Sequence, residues 1–296
     1  MALTLTENFG RYQILRKLGE GGMRNVYVAR DPQLERLEAL KVPRMGDDDR
    51  PTPEFLRRFL REARAVAALR HPNVCPIYDV GEVNGTPFLT LAYVEGYALS
   101  RLVDPASPLP QGQAARIVGR LAQGMDEAHA RGVVHRDLKP SNVMIDERGE
   151  PMIMDFGLAR VGDAGDSRLT HPGTLLGTPA YMSPEQIHSE PQDVGPLCDI
   201  YALGVILYEL IAGRLPFQGP ILSILSRIQT EAPPPPSRFR PDITSELEAI
   251  CLKAMARDPA GRFESMAALA TVLGVHSDAA ASLPRPSQVV DRPARR

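Results

Sequence analysis

His135-Arg136-Asp137-Leu138-Lys139-Pro140-Ser141-Asn142 sets Asp137 and Lys139 two residues apart and Asn142 three further on. Asp155-Phe156-Gly157 follows, its aspartate 18 residues beyond Asp137. Between them, Val143-Met144-Ile145 and Met152-Ile153-Met154 flank the turn-rich Asp146-Glu147-Arg148-Gly149, a pattern that predicts a short hairpin. The hairpin folds the two motifs together, so two acids, an amide and a lysine converge. Oxygen ligands of this kind, with positions left open, suit a magnesium ion that holds substrate phosphates. Either triplet alone arises by chance, but both in this order are hard to produce from packing needs.

Upstream, Gly19-Glu20-Gly21-Gly22 lies between two strand patterns. Glycines there let backbone approach a ligand closely and aim N–H groups at phosphate, although a tight hairpin turn without ligand uses the same residues. Lys41 follows Ala39 by two residues in a strand, so both side chains share one apolar face and the lysine needs an anion. Glu62 poses the mirror problem, sharing a helical face with Phe59, Val66 and Leu69, where a lone carboxylate is costly to bury. A Lys41–Glu62 pair answers both, whether as a plain structural salt bridge or as part of a site.

Apolar alternation predicts strands through 12–18, 26–29 and 37–42, and a three- and four-residue period from Pro53 to Arg70 predicts an amphipathic helix that Pro72 brings to a stop. From Ala114 onward helices dominate. Ile117, Leu121, Met125 and Ala128 form one stripe closed by Gly132 as C-terminal cap. The helix from about Asp199 to Ala212 is apolar nearly all round, which suits the centre of a domain. Pro233 to Pro236 reads as a rigid surface loop.

At 296 residues, 43% hydrophobic and 24% charged, the chain is long enough to bury a sizeable core. Its 34 basic and 36 acidic residues leave a formal net charge of -2, so no global field draws it to nucleic acid or membrane. Cys75, Cys198 and Cys251 are odd in number and lack C-x-x-C spacing, which argues against disulfides and zinc and favours a reducing, cytoplasmic setting. The longest apolar stretch, Tyr201 to Gly213, is too short to span a membrane and contains Glu209. The other histidines, His71, His129, His171, His188 and His276, show no ligand spacing and read as surface or packing residues.

Taken together these motifs closely resemble the eukaryotic-type protein kinase family over about Tyr12 to Phe263. Arg70-His71-Pro72-Asn73, Gly177-Thr178-Pro179-Ala180-Tyr181-Met182-Ser183-Pro184-Glu185-Gln186 and Asp258-Pro259-Ala260-Gly261-Arg262-Phe263 resemble its bacterial serine/threonine branch. The resemblance implies an α+β, bilobal protein-kinase-like fold, with a small N-terminal antiparallel sheet lobe carrying one helix and a larger, mainly helical C-terminal lobe. The expected division is a leader over 1–11, a kinase domain over 12–274 (small lobe 12–93, large lobe 94–274) and a tail or linker over 275–296.

It further implies ATP and Mg2+ as cofactors and protein substrates as partners. By resemblance, the loop from Leu18 through Gly19, Glu20, Gly21, Gly22 and Met23 to Val26 covers ATP. Ala39, Leu91 and Met144 border the adenine, whose edge the backbone of Ala92 and Val94 reads. Lys41 binds the α- and β-phosphates while paired to Glu62, and Asn142 and Asp155 hold the metal. Asp137 accepts or orients the substrate hydroxyl's proton, and Lys139 neutralises charge on the transferring group. Lys139 and Thr178 resemble serine/threonine rather than tyrosine kinases. Glu185 and Arg262 resemble the pair that ties the activation segment to the helical lobe.

Two departures stand out. Arg24 occupies the third glycine position of the loop, and Ala92 replaces the usual acidic hinge residue. Arg136 resembles the arginine that receives a phosphate from the activation segment, so autophosphorylation of Thr170 or Thr174 is expected to switch the enzyme on. Ser167 is a weaker candidate. A pseudokinase scaffold or nucleotide sensor is the rival reading, against which Lys41, Asp137, Asn142 and Asp155 weigh. A small-molecule phosphotransferase of related fold is the other, opposed by Ser183-Pro184-Glu185. Related bacterial kinases often pair through the small lobe, so a homodimer stays open.

Overall fold

Strand β4, Arg36–Pro43, is the hinge of the architecture because it is buried on both faces. In this computed structural model, which describes residues 8–21, 24–43, 52–156, 179–189 and 194–277 but not the side chains of residues 20, 21 and 24, β4 sits inside a six-stranded sheet. The other members are β1 Asn8–Phe9, β2 Tyr12–Gly21, β3 Arg24–Asp31, β5 Ile77–Val83 and β6 Thr86–Ala92, in the order β1-β2-β3-β4-β6-β5 with every pairing antiparallel. Alternation sends Leu40 and Val42 to one core with Phe9, Tyr12, Ile14, Tyr27 and Phe88, and Ala39 to another with Leu89 and Leu91.

That second core is closed by Phe59 and Ala63 of helix α1, Pro53–Ala67. Thr52 caps α1 by accepting the Phe55 N–H at 3.1 Å, and Pro53 occupies the first turn, where its missing N–H costs nothing. The helix ends before the expected Arg70, the usual latitude at a frayed terminus. Residues 8–11 of the expected leader over 1–11 are described. Asn8 and Phe9 pair with Gln13 and Tyr12, and Phe9 is buried, a two-residue strand being too short to betray itself by periodicity.

The second lobe is built on helices α2 Gln111–Ala130, α3 Pro184–His188, α4 Leu197–Ala212, α5 Ile221–Thr230, α6 Ser245–Ala254 and α7 Met266–Val275. Every residue of α4 from Cys198 to Ala212 is buried, Asp199 and Glu209 included, as suits a helix that is apolar nearly all round. It crosses α6 at Gly204, where an added Cβ would lie 2.8 Å from Met255 Cγ and 2.9 Å from Ala254 Cβ. Val275, the first residue of the expected tail or linker, is the last of α7. No helix among the described residues is long and apolar enough to cross a membrane.

A small sheet joins the lobes: β7 Gly96–Ala98, β8 Val143–Asp146 and β9 Pro151–Ile153 run antiparallel, the last two forming the predicted hairpin. The chain entering β5 is stitched to β9 by Ile153 N–H to Asn73 O at 2.8 Å, Cys75 N–H to Ile153 O at 2.9 Å and Asn73 Nδ2 to Pro151 O at 2.7 Å. These bonds carry Asp155 up against the underside of β4.

Candidate active site

The loop from His135 to Asn142 is suspended from one buried carboxylate. Asp199, wholly inaccessible in the first turn of α4, accepts the His135 N–H at 2.9 Å, the Arg136 N–H at 2.8 Å and lies 2.9 Å from His129 Nε2. Burial pushes its carboxyl pKa up, but these bonds and the neighbouring histidines outweigh that and hold it below its ordinary value. Arg136 consequently adopts φ +63°, a left-handed conformation that a non-glycine residue keeps only when its surroundings over-determine it. Asp155 is the second such residue of the site, at φ +56°.

His135 is a spacer between the two motifs. Its Nδ1 accepts the Asp137 N–H at 3.2 Å, which assigns the proton to Nε2, and Nε2 donates to Met154 O at 2.9 Å. Its ring lies 4.9 Å from that of Phe156, centroid to centroid. Complete burial lowers the pKa of His135, and burial lowers that of His71. Both therefore bind fewer protons folded than unfolded, so stability rises with pH through this window. Thermal unfolding midpoints are expected to fall as pH drops below about 6.5, with a slope of at most about 1.4 kcal/mol per pH unit for each excluded proton. Glu209, raised by burial, works against this trend, so Glu209→Gln should steepen it. A flat profile between pH 7 and 5 in the variant would contradict the assignment.

Beyond His135 the loop alternates. Leu138 is buried, while Asp137 and Lys139 face the cleft with side chains 33% and 16% exposed. Asp137 Oδ2 accepts from Lys139 Nζ at 2.9 Å and from Asn142 Nδ2 at 3.1 Å. Asn142 Nδ2 also bonds Asp137 O at 2.8 Å, so its amide nitrogen is spent on Asp137 and Oδ1 is the group left to offer a cation.

Across the cleft, buried Lys41 forms an ion pair with the Asp155 carboxylate. The expected Lys41–Glu62 pair is not the arrangement found. Glu62 lies at the edge of the buried stripe of α1, its side chain 32% exposed, and takes its bond from Arg58 one turn earlier at 3.2 Å. Lys41 meets its need for an anion through Asp155 instead. An apolar cavity of about 10 Å³, with room for a single water, lies among Lys41, Val66, Cys75, Leu89, Leu91 and Asp155. Burial pushes the Cys75 thiol up to about 11, so it is inert at neutral pH.

Cross-strand register places the expected adenine-lining residues on one sheet face: Val26 opposite Lys41, and Ala39 opposite Leu91. Met144 stands in β8 opposite Ala98, and Leu18 is exposed in β2. The Ala92 N–H is spent on Pro76 O at 3.0 Å, and its carbonyl accepts a weak bond from the Cys75 thiol at 3.7 Å. Gly19 has no positive φ, and a Cβ there would meet no atom within 4 Å, so neither conformation nor packing demands glycine. Gly22, Met23, Gly157, Thr170, Thr174 and Thr178, and the side chain of Glu20, lie outside the described residues.

Asp155 and Asn142 supply one carboxylate and one amide oxygen, and no group of three or more acidic, histidine or cysteine side chains that could hold a metal occurs among the described residues. That sparse set fits Mg2+, which keeps waters and substrate phosphates in its shell, and does not fit a closed protein cage. The far wall is held by Glu185 in α3, whose carboxylate takes both terminal nitrogens of Arg262 at 2.7 Å; the Arg262 side chain is wholly inaccessible. Burial pushes Glu185 up, but Arg262 outweighs it and leaves the carboxyl below its ordinary value.

Three participants escaped the sequence reading: Asp199, His129 and Gln186. An acid in the first turn of a mostly apolar helix was the available signal for Asp199. His129, read as a packing residue, is its partner.

A sheet lobe and a helical lobe that bring a buried lysine–aspartate pair over a loop carrying Asp137, Lys139 and Asn142 constitute a protein kinase scaffold. The chain belongs to the protein kinase domain family, whose model matches residues 12–273. It is 40% identical over 262 residues to the serine/threonine-protein kinase PrkC of Bacillus subtilis, covering 86% of this chain and 39% of that protein. It is 39% identical over 283 residues to the serine/threonine-protein kinase PknB of Mycolicibacterium smegmatis, covering 93% and 44%. The crystal structure of the Mycobacterium tuberculosis PknI kinase domain superposes with a TM-score of 0.71 at 31% identity, covering 94% of this chain and all of that one. The chain thus falls in the bacterial branch of the eukaryotic-type protein kinase family, and it spans less than half the length of these two relatives.

Proposed function

We propose that this chain transfers the γ-phosphoryl group of ATP to serine or threonine hydroxyls of protein substrates. The observation that carries the reading is the convergence on one cleft of Asp137, Lys139 and Asn142 with the Lys41–Asp155 pair. Magnesium, when bound, neutralises phosphate oxygens and orients them. Asn142 Oδ1 and Asp155 are the atoms that would hold it, and Lys41 would then turn from Asp155 to the α- and β-phosphates. Asp137 has one oxygen committed to Lys139 and Asn142, so Oδ1 is the atom to take the proton of the acceptor hydroxyl. Lys139, fixed 2.9 Å from Asp137, places a cation where the transferring group gathers negative charge.

Autophosphorylation of Thr170 or Thr174 is part of this proposal. Its support is Arg136, whose guanidinium bonds Val194 O at 3.3 Å while Nε has no hydrogen-bond partner among the described residues. A phosphate supplies the acceptor such a group lacks.

The test is incubation of the purified protein with γ-labelled ATP, Mg2+ and a general protein acceptor, followed by phosphosite mapping. Label on serine and threonine, abolished by chelator and including Thr170 or Thr174, is expected. Nucleotide binding without label under every condition would make the chain a scaffold, and label confined to small-molecule acceptors would reassign its substrate class.

A further inference from the structure

Gln186, the third residue of α3, uses both ends of its amide. Oε1 accepts the Ser183 N–H at 3.0 Å and the Ser183 hydroxyl at 3.2 Å, closing a capping box at the start of the helix. Nε2 reaches out of the helix and donates to Arg136 O at 2.8 Å. That carbonyl belongs to the peptide unit whose N–H is Asp137's own, and that N–H bonds His135 Nδ1 at 3.2 Å. The planar 136–137 peptide is thereby held on one edge by Gln186 and on the other by His135. Its neighbour Glu185 anchors α3 to buried Arg262, so the tether ends on a fixed support.

We infer that Gln186 is a positioning residue for phosphoryl transfer, fixing through the left-handed Arg136 the plane from which Asp137 projects. The inference rests on the kinase reading for its catalytic consequence. Rotation of this peptide swings the Asp137 carboxylate away from Lys139 and Asn142, while the Lys41–Asp155 pair across the cleft keeps its place, so the loss belongs chiefly in kcat and not in nucleotide binding.

Gln186→Glu separates the two roles, because a carboxylate still accepts the Ser183 N–H but turns an acceptor toward Arg136 O. Roughly a 10- to 100-fold fall in kcat is expected, with KM for ATP within about twofold of wild type. Gln186→Met, uncharged, should show the same kcat loss. Ser183→Ala keeps the tether and weakens the cap, so it should lower the melting temperature and leave kcat within about twofold. Hydrogen exchange of the Arg136 and Asp137 amides, read on the same proteins, is expected to quicken in Gln186→Glu and not in Ser183→Ala. Unchanged kcat or unchanged exchange in Gln186→Glu overturns the inference, as do kcat losses that merely follow melting temperature across all three variants. The exchange arm needs no turnover, so it decides the tether even where a wild-type protein without activity has overturned the kinase reading.

Discussion

Asp137→Asn is expected to lower kcat by about 10³-fold while KM for ATP stays within about twofold. The exchange conserves shape, and the Asp137 side chain is one third exposed, so stability should change by less than about 1 kcal/mol. What is lost is specific. In the wild type one carboxylate oxygen is engaged by Lys139 at 2.9 Å and Asn142 at 3.1 Å, and the proposed reaction uses the other to receive a proton. An amide can offer its oxygen to those donors or to the acceptor hydroxyl, but its NH2 then points at whichever it does not serve. Neither orientation provides a base at neutral pH. Single-turnover and steady-state rates at saturating ATP check this; a variant within tenfold of wild type would mean that Asp137 only organises Lys139 and Asn142.

Much of this site was legible because its parts obey local rules. The β4 alternation that put Ala39 and Lys41 on one face is a property of any strand, and the turn-rich 146–149 segment announced the hairpin that delivers Asp155. The pairing of Lys41 was not legible. Sequence shows that Glu62 shares a helical stripe with Phe59 and Val66, but not whether its carboxylate falls inside or outside the rim, and 32% exposure puts it where Arg58 suffices. The left-handed backbones at Arg136 and Asp155 were equally hidden. No glycine marks them, since tertiary hydrogen bonds, not intrinsic preference, hold those angles. Gln186 was quoted only as part of a family phrase, because its reach to Arg136 O depends on two segments 50 residues apart.

The second large effect is expected at Asp199. Asp199→Ala should destabilise the fold by about 3–5 kcal/mol and suppress turnover with it. The carboxylate is the acceptor for two buried backbone N–H groups and is bonded to His129, and alanine leaves all three without it in a site closed to solvent. The loss also frees Arg136 from one of the contacts that hold its positive φ, so the loop should relax even in molecules that remain folded. Asp199→Asn is the milder case, because its oxygen still serves one or two donors while its NH2 opposes another. The folded pKa of Asp199 is depressed, so its contribution is complete at neutral pH and is lost as pH falls through that value. Denaturant unfolding should therefore show the gap between wild type and variant closing in acid. Gln186 and Asp199 grip the C=O and the N–H of the same residue, so a double-mutant cycle between Gln186→Glu and Asp199→Asn should give a non-additive loss of kcat. Strict additivity would mean that the two bonds hold the loop independently, and that Arg136 is not the element through which they act.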